Sequence, residues 1–208
     1  MKKPVQKTLT GLSIALAVVA VLLILAIAAF FILSSIYDIT QVGNSAFCLI
    51  TKDGETAVIF GLGRLWNASE ITYGAFPNYP HYGLSTLYAS EIQKAIICYG
   101  ITNIPHEFFT YCTKLSEIYI PASVREFDCM SLDECYKLAH VYFQGNAPKF
   151  VYLKEEIFFD GIHAWNAFDD LSAEQPVTIY YQPGTTGWDS PDWEGYNLVA
   201  QKYRVDWS

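Results

Sequence analysis

Hydrophobic residues first occur as one long run, which begins at Leu9, ends at Ile36 and contains no charged residue. As a helix, a run of this length extends about 42 Å, more than the roughly 30 Å hydrocarbon core of a bilayer. The apolar part of a cleavable signal peptide is shorter, about 7–15 residues. The pattern therefore predicts an uncleaved transmembrane helix over residues 9–36, with cleavage near Ala26-Ile27-Ala28 as the alternative.

Beyond this run, hydrophobic positions recur with a spacing of 23 residues and no gap. Residues 101–123 align with residues 124–146 position by position, and a third, degenerate unit begins near Ile92. The matched pairs are Ile101 and Val124, Ile104 and Phe127, Phe109 and Leu132, Cys112 and Cys135, Leu115 and Leu138, Ile118 and Val141, and Ile120 and Phe143. Repetition at such a period is typical of architectures built from stacked repeats.

The spacing inside one unit predicts its local structure. Leu115, Ile118 and Ile120 follow the pattern L-x-x-L-x-L, which indicates a bend and then a short strand with alternate residues buried. Phe109 and Cys112 lie three residues apart, which suits one turn of α- or 3₁₀-helix. One unit cannot bury its hydrophobic side chains alone, so the units are expected to stack as an α/β solenoid with parallel strands.

The cysteine content favours a structural role inside this stack. The chain has five cysteines and no C-x-x-C pair, so neither a disulfide framework nor a zinc site is indicated. Cys112 and Cys135 occupy the same position in successive units and are expected to be vertical neighbours in the core, as inert thiols rather than as a disulfide or metal ligands.

The pattern F-x-x-C-x-x-L-x-x-I-x-I-P-x-S-V, from Phe109 to Val124, resembles the BspA-type leucine-rich-repeat family. Residues 141–148 and 179–188 resemble the cap that closes such arrays, and residues 92–104 are similar to the strand that opens them. The resemblance covers about residues 46–205, although only two clear repeats are present and residues 149–174 form an insertion. It implies a bacterial surface protein that acts in adhesion and partner binding.

The segments that flank the repeats are predicted to cap them. Asp53-Gly54 separates two apolar stretches and indicates a β-hairpin N-cap, while Val177 to Tyr181 indicates a strand within the C-cap. The predicted organisation after the transmembrane helix is a linker at 37–45, the N-terminal cap and loop at 46–91, the repeats at 92–148, and the insertion with the C-cap at 149–208.

Charged residues predict the orientation of the transmembrane helix and narrow the classes of binding partner. Lys2, Lys3 and Lys7 precede the apolar run, so residues 1–8 are predicted to be a cytoplasmic tail and the rest to lie outside a single-pass plasma-membrane helix. The outer part holds all 21 Asp and Glu residues but only 10 of the 13 Lys and Arg residues, a formal charge of −11. Such an acidic surface argues against nucleic acid as a partner.

The solvent side of the predicted sheet is the candidate binding site for an extracellular protein. If Ile118 and Ile120 point inward, Glu117 and Tyr119 point outward, and the equivalent positions in the next unit carry a histidine and a tyrosine. The candidate residues are Lys94, Glu117, Tyr119, His140, Tyr142 and Tyr180, with the three tyrosines in an exposed column. The alternative is that these tyrosine pairs only stabilise the sheet, by about 0.2–1 kcal/mol each.

Two other functions are weaker alternatives. Trp188 and Trp193 could stack against a glycan, although aromatic residues near the end of an array usually cover its last unit. A hydrolase would need the carboxylates of Glu155-Glu156 and Asp169-Asp170, which lie in a segment that reads as a solvated acidic loop. No catalytic motif, metal site or cofactor site is indicated, so the sequence predicts a binding protein rather than an enzyme.

Overall fold

The computed structural model describes residues 18–25, 27–29, 32, 37–66, 90–128, 130–151 and 176–205. The chain divides into two compact units, Met1–Asp38 and Ile39–Ser208. In the first unit, the described residues between 18 and 32 are helical and their large hydrophobic side chains are 53–64% exposed. Among the described residues, no helix has both the length and the apolarity needed to cross a membrane. The remainder of the predicted 9–36 segment, and the predicted tail at 1–8, lie outside the described residues.

Two β-sheets make up the described part of the second unit. The larger has seven strands in the order β1-β2-β3-β5-β7-β9-β10 and the smaller has three in the order β4-β6-β8. Every pairing is parallel except that of β1 with β2. The strands are β1 Tyr37–Thr51, β2 Thr56–Leu65, β3 Lys94–Ile97, β4 Asn103–Ile104, β5 Glu117–Ile120, β6 Glu126–Asp128, β7 His140–Phe143, β8 Lys149–Val151, β9 Thr178–Tyr181 and β10 Asn197–Ala200.

The 23-residue offset sets the register of the larger sheet. Ala95 pairs with Ile118, and Ile118 pairs with Val141. The backbone repeats the offset: the amide of Ser116 donates to the carbonyl of Gln93 (2.8 Å), and that of Ala139 donates to Ser116 (3.0 Å). The expectation of parallel strands related by the 23-residue offset is therefore confirmed for β3, β5 and β7.

One row of buried side chains, of which only the last is partly buried, crosses the whole larger sheet and holds the repeats together. Its members are Ile50, Ala57, Ala95, Ile118, Val141, Ile179 and Leu198, paired in that order. Four other core side chains pack with this row in a single hydrophobic core: Phe109, Cys112, Leu115 and Leu138. Because no single 23-residue repeat could enclose these side chains, burial of hydrophobic surface couples each repeat to its neighbours.

No α-helix occurs in the described part of residues 37–205, and turns are found where the sequence predicted one helical turn in each repeat. The amide of Cys112 donates to the carbonyl of Phe109 (3.0 Å), and that of Cys135 donates to Leu132 (3.1 Å), each an i to i−3 bond. Tyr111 (φ 64°) and Glu134 (φ 59°), the third residues of these turns, take positive φ values. A positive φ is incompatible with a right-handed helix, so each segment is an isolated turn.

The predicted N-terminal hairpin is present and is longer than expected. Gly54 has a φ of 79° and its amide donates to the Thr51 carbonyl (2.7 Å), as the Asp-Gly signal requires. The predicted linker at 37–45 is instead the first part of β1, because Val42 is fully buried and its carbonyl accepts from the amide of Trp66 (2.9 Å). Residues 67–89 of the predicted loop lie outside the described residues.

The C-terminal part closes the larger sheet with two strands. The predicted strand is β9, and the turn at Pro183-Gly184 ends it. The structure adds β10, which pairs in parallel with β9, and a short 3₁₀ helix, Pro191–Trp193. The predicted insertion begins with β8, which pairs with β6 in the smaller sheet, while residues 152–175 lie outside the described residues.

Candidate functional site

The side of the larger sheet that faces away from the core, here called the outer face, carries two adjacent rows of side chains. The apolar row consists of Leu49, Val58, Ile96, Tyr119, Tyr142, Tyr180 and Val199, paired strand by strand from β1 to β10. The polar row consists of Thr56, Lys94, Glu117, His140, Thr178 and Asn197. Both rows exist because side chains alternate between the two sides of a strand.

Three tyrosines at the centre of the apolar row, the tyrosine ladder, stack on one another. The rings of Tyr119 and Tyr142 lie 4.6 Å apart at an interplanar angle of 9°. Those of Tyr142 and Tyr180 lie 4.8 Å apart at 13°. The spacing of hydrogen-bonded strands, about 4.7–4.9 Å, brings the same position of successive strands to this separation. The ladder is therefore a direct product of the strand register.

The polar row places a charged pair beside the ladder. Lys94 Nζ lies 3.3 Å from Glu117 Oε1, across β3 and β5. The hydroxyl of Tyr119 donates to the other oxygen, Oε2, of the same carboxylate (3.3 Å). Burial, and to a smaller extent this carboxylate, raises the pKa of Tyr142. Glu117 therefore connects the charged and aromatic parts of the outer face.

His140 extends the polar row towards the last strands. Its ring lies 6.3 Å from that of Tyr142 and 5.8 Å from that of Tyr180. Its Nδ1 atom is buried and has no hydrogen-bond partner in the described part of the chain. Buried polar atoms are seldom left without a partner, so His140 has unused hydrogen-bonding capacity on the outer face.

Tyr203 covers part of the ladder, which the sequence did not predict. Its ring lies 5.0 Å from Tyr142 and 6.4 Å from Tyr119. Tyr119 is only 5% exposed, so the expected column of exposed tyrosines is wrong at this residue. Burial, with a smaller contribution from Tyr119, raises the pKa of the Tyr203 phenol. Tyr203 lies outside the 23-residue period, and no other signal in the sequence places it here.

The structure thus brings the six candidate residues together on the outer face, whereas the two tryptophans of the glycan alternative lie in the core. Trp188 and Trp193 are 7% and 2% exposed and belong to the core. Trp193 packs against Phe143 and Phe150, with ring centroids 5.6 and 4.8 Å away. They cover the end of the repeat core, and this burial gives no support to the glycan-stacking alternative, which needs accessible ring faces.

The acidic residues form no metal site among the residues that the structure describes. No group of three or more His, Cys, Asp or Glu side chains there could hold a metal ion. Glu155, Glu156, Asp169 and Asp170, the carboxylates of the hydrolase alternative, lie outside the described residues.

Comparison with known proteins confirms the predicted resemblance. Residues 67–161 match the family model described as the BspA type leucine-rich-repeat region (6 copies). The crystal structure of a leucine-rich repeat protein from Eubacterium ventriosum is similar, with 13% sequence identity and a TM-score of 0.41. The similarity covers 72% of this chain, which spans 39% of the length of that protein. No curated protein shows significant sequence similarity.

Proposed function

We propose that this chain, which carries a BspA-type leucine-rich-repeat region over residues 67–161, is a membrane-anchored surface module that binds proteins through its outer face. The repeat region accounts for the parallel sheet, and repeats of this kind provide extended binding surfaces. The role is binding rather than catalysis, and adhesion to a protein on another cell or on the host is its expected consequence.

The observation that carries the proposal is the tyrosine ladder beside the pair formed by Lys94 and Glu117. Tyrosine provides a large contact area with few torsions to immobilise, and it is enriched among residues that dominate binding energies. The ladder already fixes its rings in stacks, so little side-chain entropy remains to be lost when a partner binds. The adjacent charges and His140 offer the hydrogen bonds that give such an interface its specificity.

Membrane anchoring is supported by the exposed apolar residues of the first unit. Helical residues such as Leu22 and Ile24 expose well over half of their surface, and the whole 9–36 run lacks charges. Lipid tails would cover this apolar surface, and three lysines before it would hold the N-terminus on the cytoplasmic side. In this arrangement, the acidic second unit faces the exterior of the plasma membrane.

The anchor is tested with two charges in the run. Leu22→Lys combined with Ile24→Lys costs about 2.5–3.5 kcal/mol for each lysine in a helix that spans the bilayer. The variant is expected to leave the membrane fraction after alkaline extraction, whereas a matched variant with alanine at both positions stays there. Retention of the lysine variant would refute the anchor. Digestion of intact cells with protease should remove the acidic unit from the wild-type chain.

The binding face is tested by removing two rings of the ladder from the full-length chain. Proximity labelling from the second unit first identifies surface proteins that neighbour it. The double variant Tyr142→Ala and Tyr180→Ala is expected to bind such a partner at least 30-fold more weakly, because two tyrosine anchors of about 1 kcal/mol or more each contribute about 2 kcal/mol together.

The matched control for this test replaces two tyrosines that lie elsewhere. Tyr99 and Tyr136 are exposed and lie outside the strands, so Tyr99→Ala with Tyr136→Ala removes the same two ring types without altering the ladder. Binding should stay within a factor of two. If the control pair weakens binding as much as the ladder pair, or if neither has an effect, the outer face is not the binding site.

A further inference from the structure

Residues 201–205, here called the C-terminal strap, leave β10 and return across the outer face. The amide of Gln201 donates to the carbonyl of Tyr181 (3.0 Å) at the end of β9. The side-chain amide of Gln182 donates to the Tyr203 carbonyl (3.3 Å). These bonds direct the strap back towards β7 and β5, where the Tyr203 ring packs on Tyr142 and Tyr119. The strap therefore occupies the surface that the proposed function assigns to a partner.

The strap is held mainly through one side chain. Gln201, Lys202 and Arg204 are exposed, and Tyr203 carries both ring contacts with the ladder. A segment that is held by one partly buried aromatic ring, with an exposed residue on either side of it, resembles a bound ligand more than a part of the core. Its attachment is therefore local and can be lost without unpacking the repeats.

One unpaired polar atom makes the docking of the strap incomplete. The hydroxyl of Tyr203 is buried and has no hydrogen-bond partner among the described residues, and the same holds for the Nδ1 atom of His140 elsewhere on the outer face. Such atoms lose their bonds with water on burial and gain none in return, which weakens the docked state. Release of the strap returns the Tyr203 hydroxyl to water, while a ligand with a suitable group could pair with His140.

We infer that the strap stands in for the true ligand: the outer face binds an extended, basic, tyrosine-containing segment of another protein, which displaces the strap. This inference rests on the proposed function. The chemistry of the ligand follows from the occupant that already fits. An aromatic ring takes the place of Tyr203 on the ladder, and a backbone carbonyl accepts from Gln182. The ligand carries basic residues on both sides of its aromatic residue, at the positions that correspond to Lys202 and Arg204.

Charge supports a basic segment rather than an acidic one. The part of the chain after residue 36 has a formal charge of −11. A field of this sign attracts a basic peptide and speeds its encounter with the outer face. The strap itself competes as an intramolecular ligand, at an effective concentration in the millimolar range for a short connection. Partner binding is consequently weaker while the strap is docked.

The test uses a fluorescent synthetic peptide with the sequence Ala-Gln-Lys-Tyr-Arg-Val, which repeats residues 200–205. Its binding to the full-length chain in detergent micelles is followed by fluorescence anisotropy. The Tyr203→Ala chain, whose strap cannot occupy the ladder, is expected to bind the peptide at least ten-fold more tightly than the wild-type chain. A peptide with alanine in place of tyrosine should lose at least ten-fold in affinity for the variant.

A second variant protects the test against misfolding of the first. Deletion of residues 201–208 removes the strap but keeps every ring of the ladder and the Gln182 side chain, so its peptide affinity should match or exceed that of the Tyr203→Ala chain. Circular dichroism shows whether each variant retains its β-sheet. Absence of peptide binding to both folded variants, or binding that does not need the peptide's tyrosine, overturns the inference. Equal affinity for wild-type and variant chains overturns it as well.

Two further outcomes separate this inference from its alternatives. A concentration-dependent dimer of the wild-type chain that Tyr203→Ala abolishes would identify the strap of a second copy as the occupant, and would overturn the assignment to another protein. Loss of partner binding in the Tyr142 and Tyr180 double variant, with no peptide binding to Tyr203→Ala, would uphold the proposed function and overturn only the inference. Peptide binding with no effect of the double variant on any partner would uphold strap exchange and refute the proposed function.

Discussion

Glu107 and Met130 share a backbone φ of 56° and lie 23 residues apart, at the same place in successive units. Tyr111 and Glu134, at 64° and 59°, form a second such pair. A left-handed conformation costs a residue with a Cβ atom about 1–2 kcal/mol. The same unfavourable conformation therefore recurs at two positions of each repeat, so it is a property of the turn that joins the smaller sheet to the larger one. The side-chain burial that this turn permits compensates its cost.

Replacing Glu134 by glycine should therefore stabilise the chain relative to alanine at the same position. Glycine takes a positive φ without steric cost but loses about 0.5–1 kcal/mol of backbone entropy on folding, so we expect a net gain of up to about 1 kcal/mol over Glu134→Ala. Urea unfolding measures the difference. Lys137, an exposed residue nearby without a positive φ, provides the control, where glycine should be less stable than alanine. A Glu134→Gly chain less stable than Glu134→Ala would refute the strain argument.

The stacked core predicts a large cost for shortening Leu115. This side chain is fully buried at the bend before β5 and belongs to the core that all units share. Leu115→Ala should lower the free energy of unfolding by about 2–5 kcal/mol, because it removes buried methyl groups and leaves a cavity. Tyr99→Ala, at an exposed position, should change it by no more than about 0.5 kcal/mol. Similar small effects of both substitutions would mean that Leu115 does not pack as described.

The register of β3, β5 and β7 could be predicted because one physical requirement fixes it. Ala95, Ile118 and Val141 must face the same core, and a slip by one residue would turn each of them towards solvent. The strands β4, β6 and β8 of the smaller sheet are only two or three residues long. Such short pairings depend on how tightly the preceding turn closes, which the pattern of hydrophobic residues does not encode.

The candidate site was predictable only where it follows the repeat. Tyr119 and Tyr142 are one period apart, so their stacking follows from the offset, and Tyr180 joins them through the cap strand. Tyr203 reaches the ladder by a reversal of the chain after β10, and no periodic neighbour indicates that position. The burial of Trp188, by contrast, was expected from its place near the end of the array, and its ring packs on that of Tyr181, with the centroids 4.8 Å apart.

Thiol reactivity should separate Cys98 from the cysteines of the core. Burial raises the pKa of Cys112 to about 12, and it also raises the pKa of Cys48 and of Cys135. Cys98 is only partly buried, so reagent reaches it more easily, although burial raises its pKa too. Because the thiolate is the reactive form, iodoacetamide at pH 7.5 should modify Cys98 at least ten times faster than these three core thiols in the folded chain.

Peptide mapping by mass spectrometry follows each of these cysteines separately, so Cys129, which lies outside the described residues, does not interfere. The same reaction in concentrated urea is the control, in which the four rates should converge. Fast labelling of Cys112 in the folded chain would show that the repeat core opens readily, contrary to its complete burial.

The raised pKa values of Tyr203 and Tyr142 predict a loss of stability in alkaline solution. Above the ordinary tyrosine value of 10.0, these phenols ionise in the unfolded chain while the folded chain still holds their protons. The folded chain then binds more protons than the unfolded one, so the free energy of unfolding falls as the pH rises. Each fully buried phenol would contribute at most about 1.4 kcal/mol per pH unit, and solvent around these partly buried rings lowers that figure.

Tyr203→Phe isolates the contribution of the strap, because it keeps the ring on the ladder and removes the group that titrates. Urea midpoints at pH 8, below the ionisation of either state, give the reference difference between the wild-type and variant chains. At pH 10.5 the free energy of unfolding of the wild-type chain should have fallen more than that of the variant, because only the wild-type chain has a phenol at position 203 that ionises when the chain unfolds. Parallel losses in both chains would show that Tyr203 has the same proton affinity folded and unfolded, and that it is not buried against Tyr142.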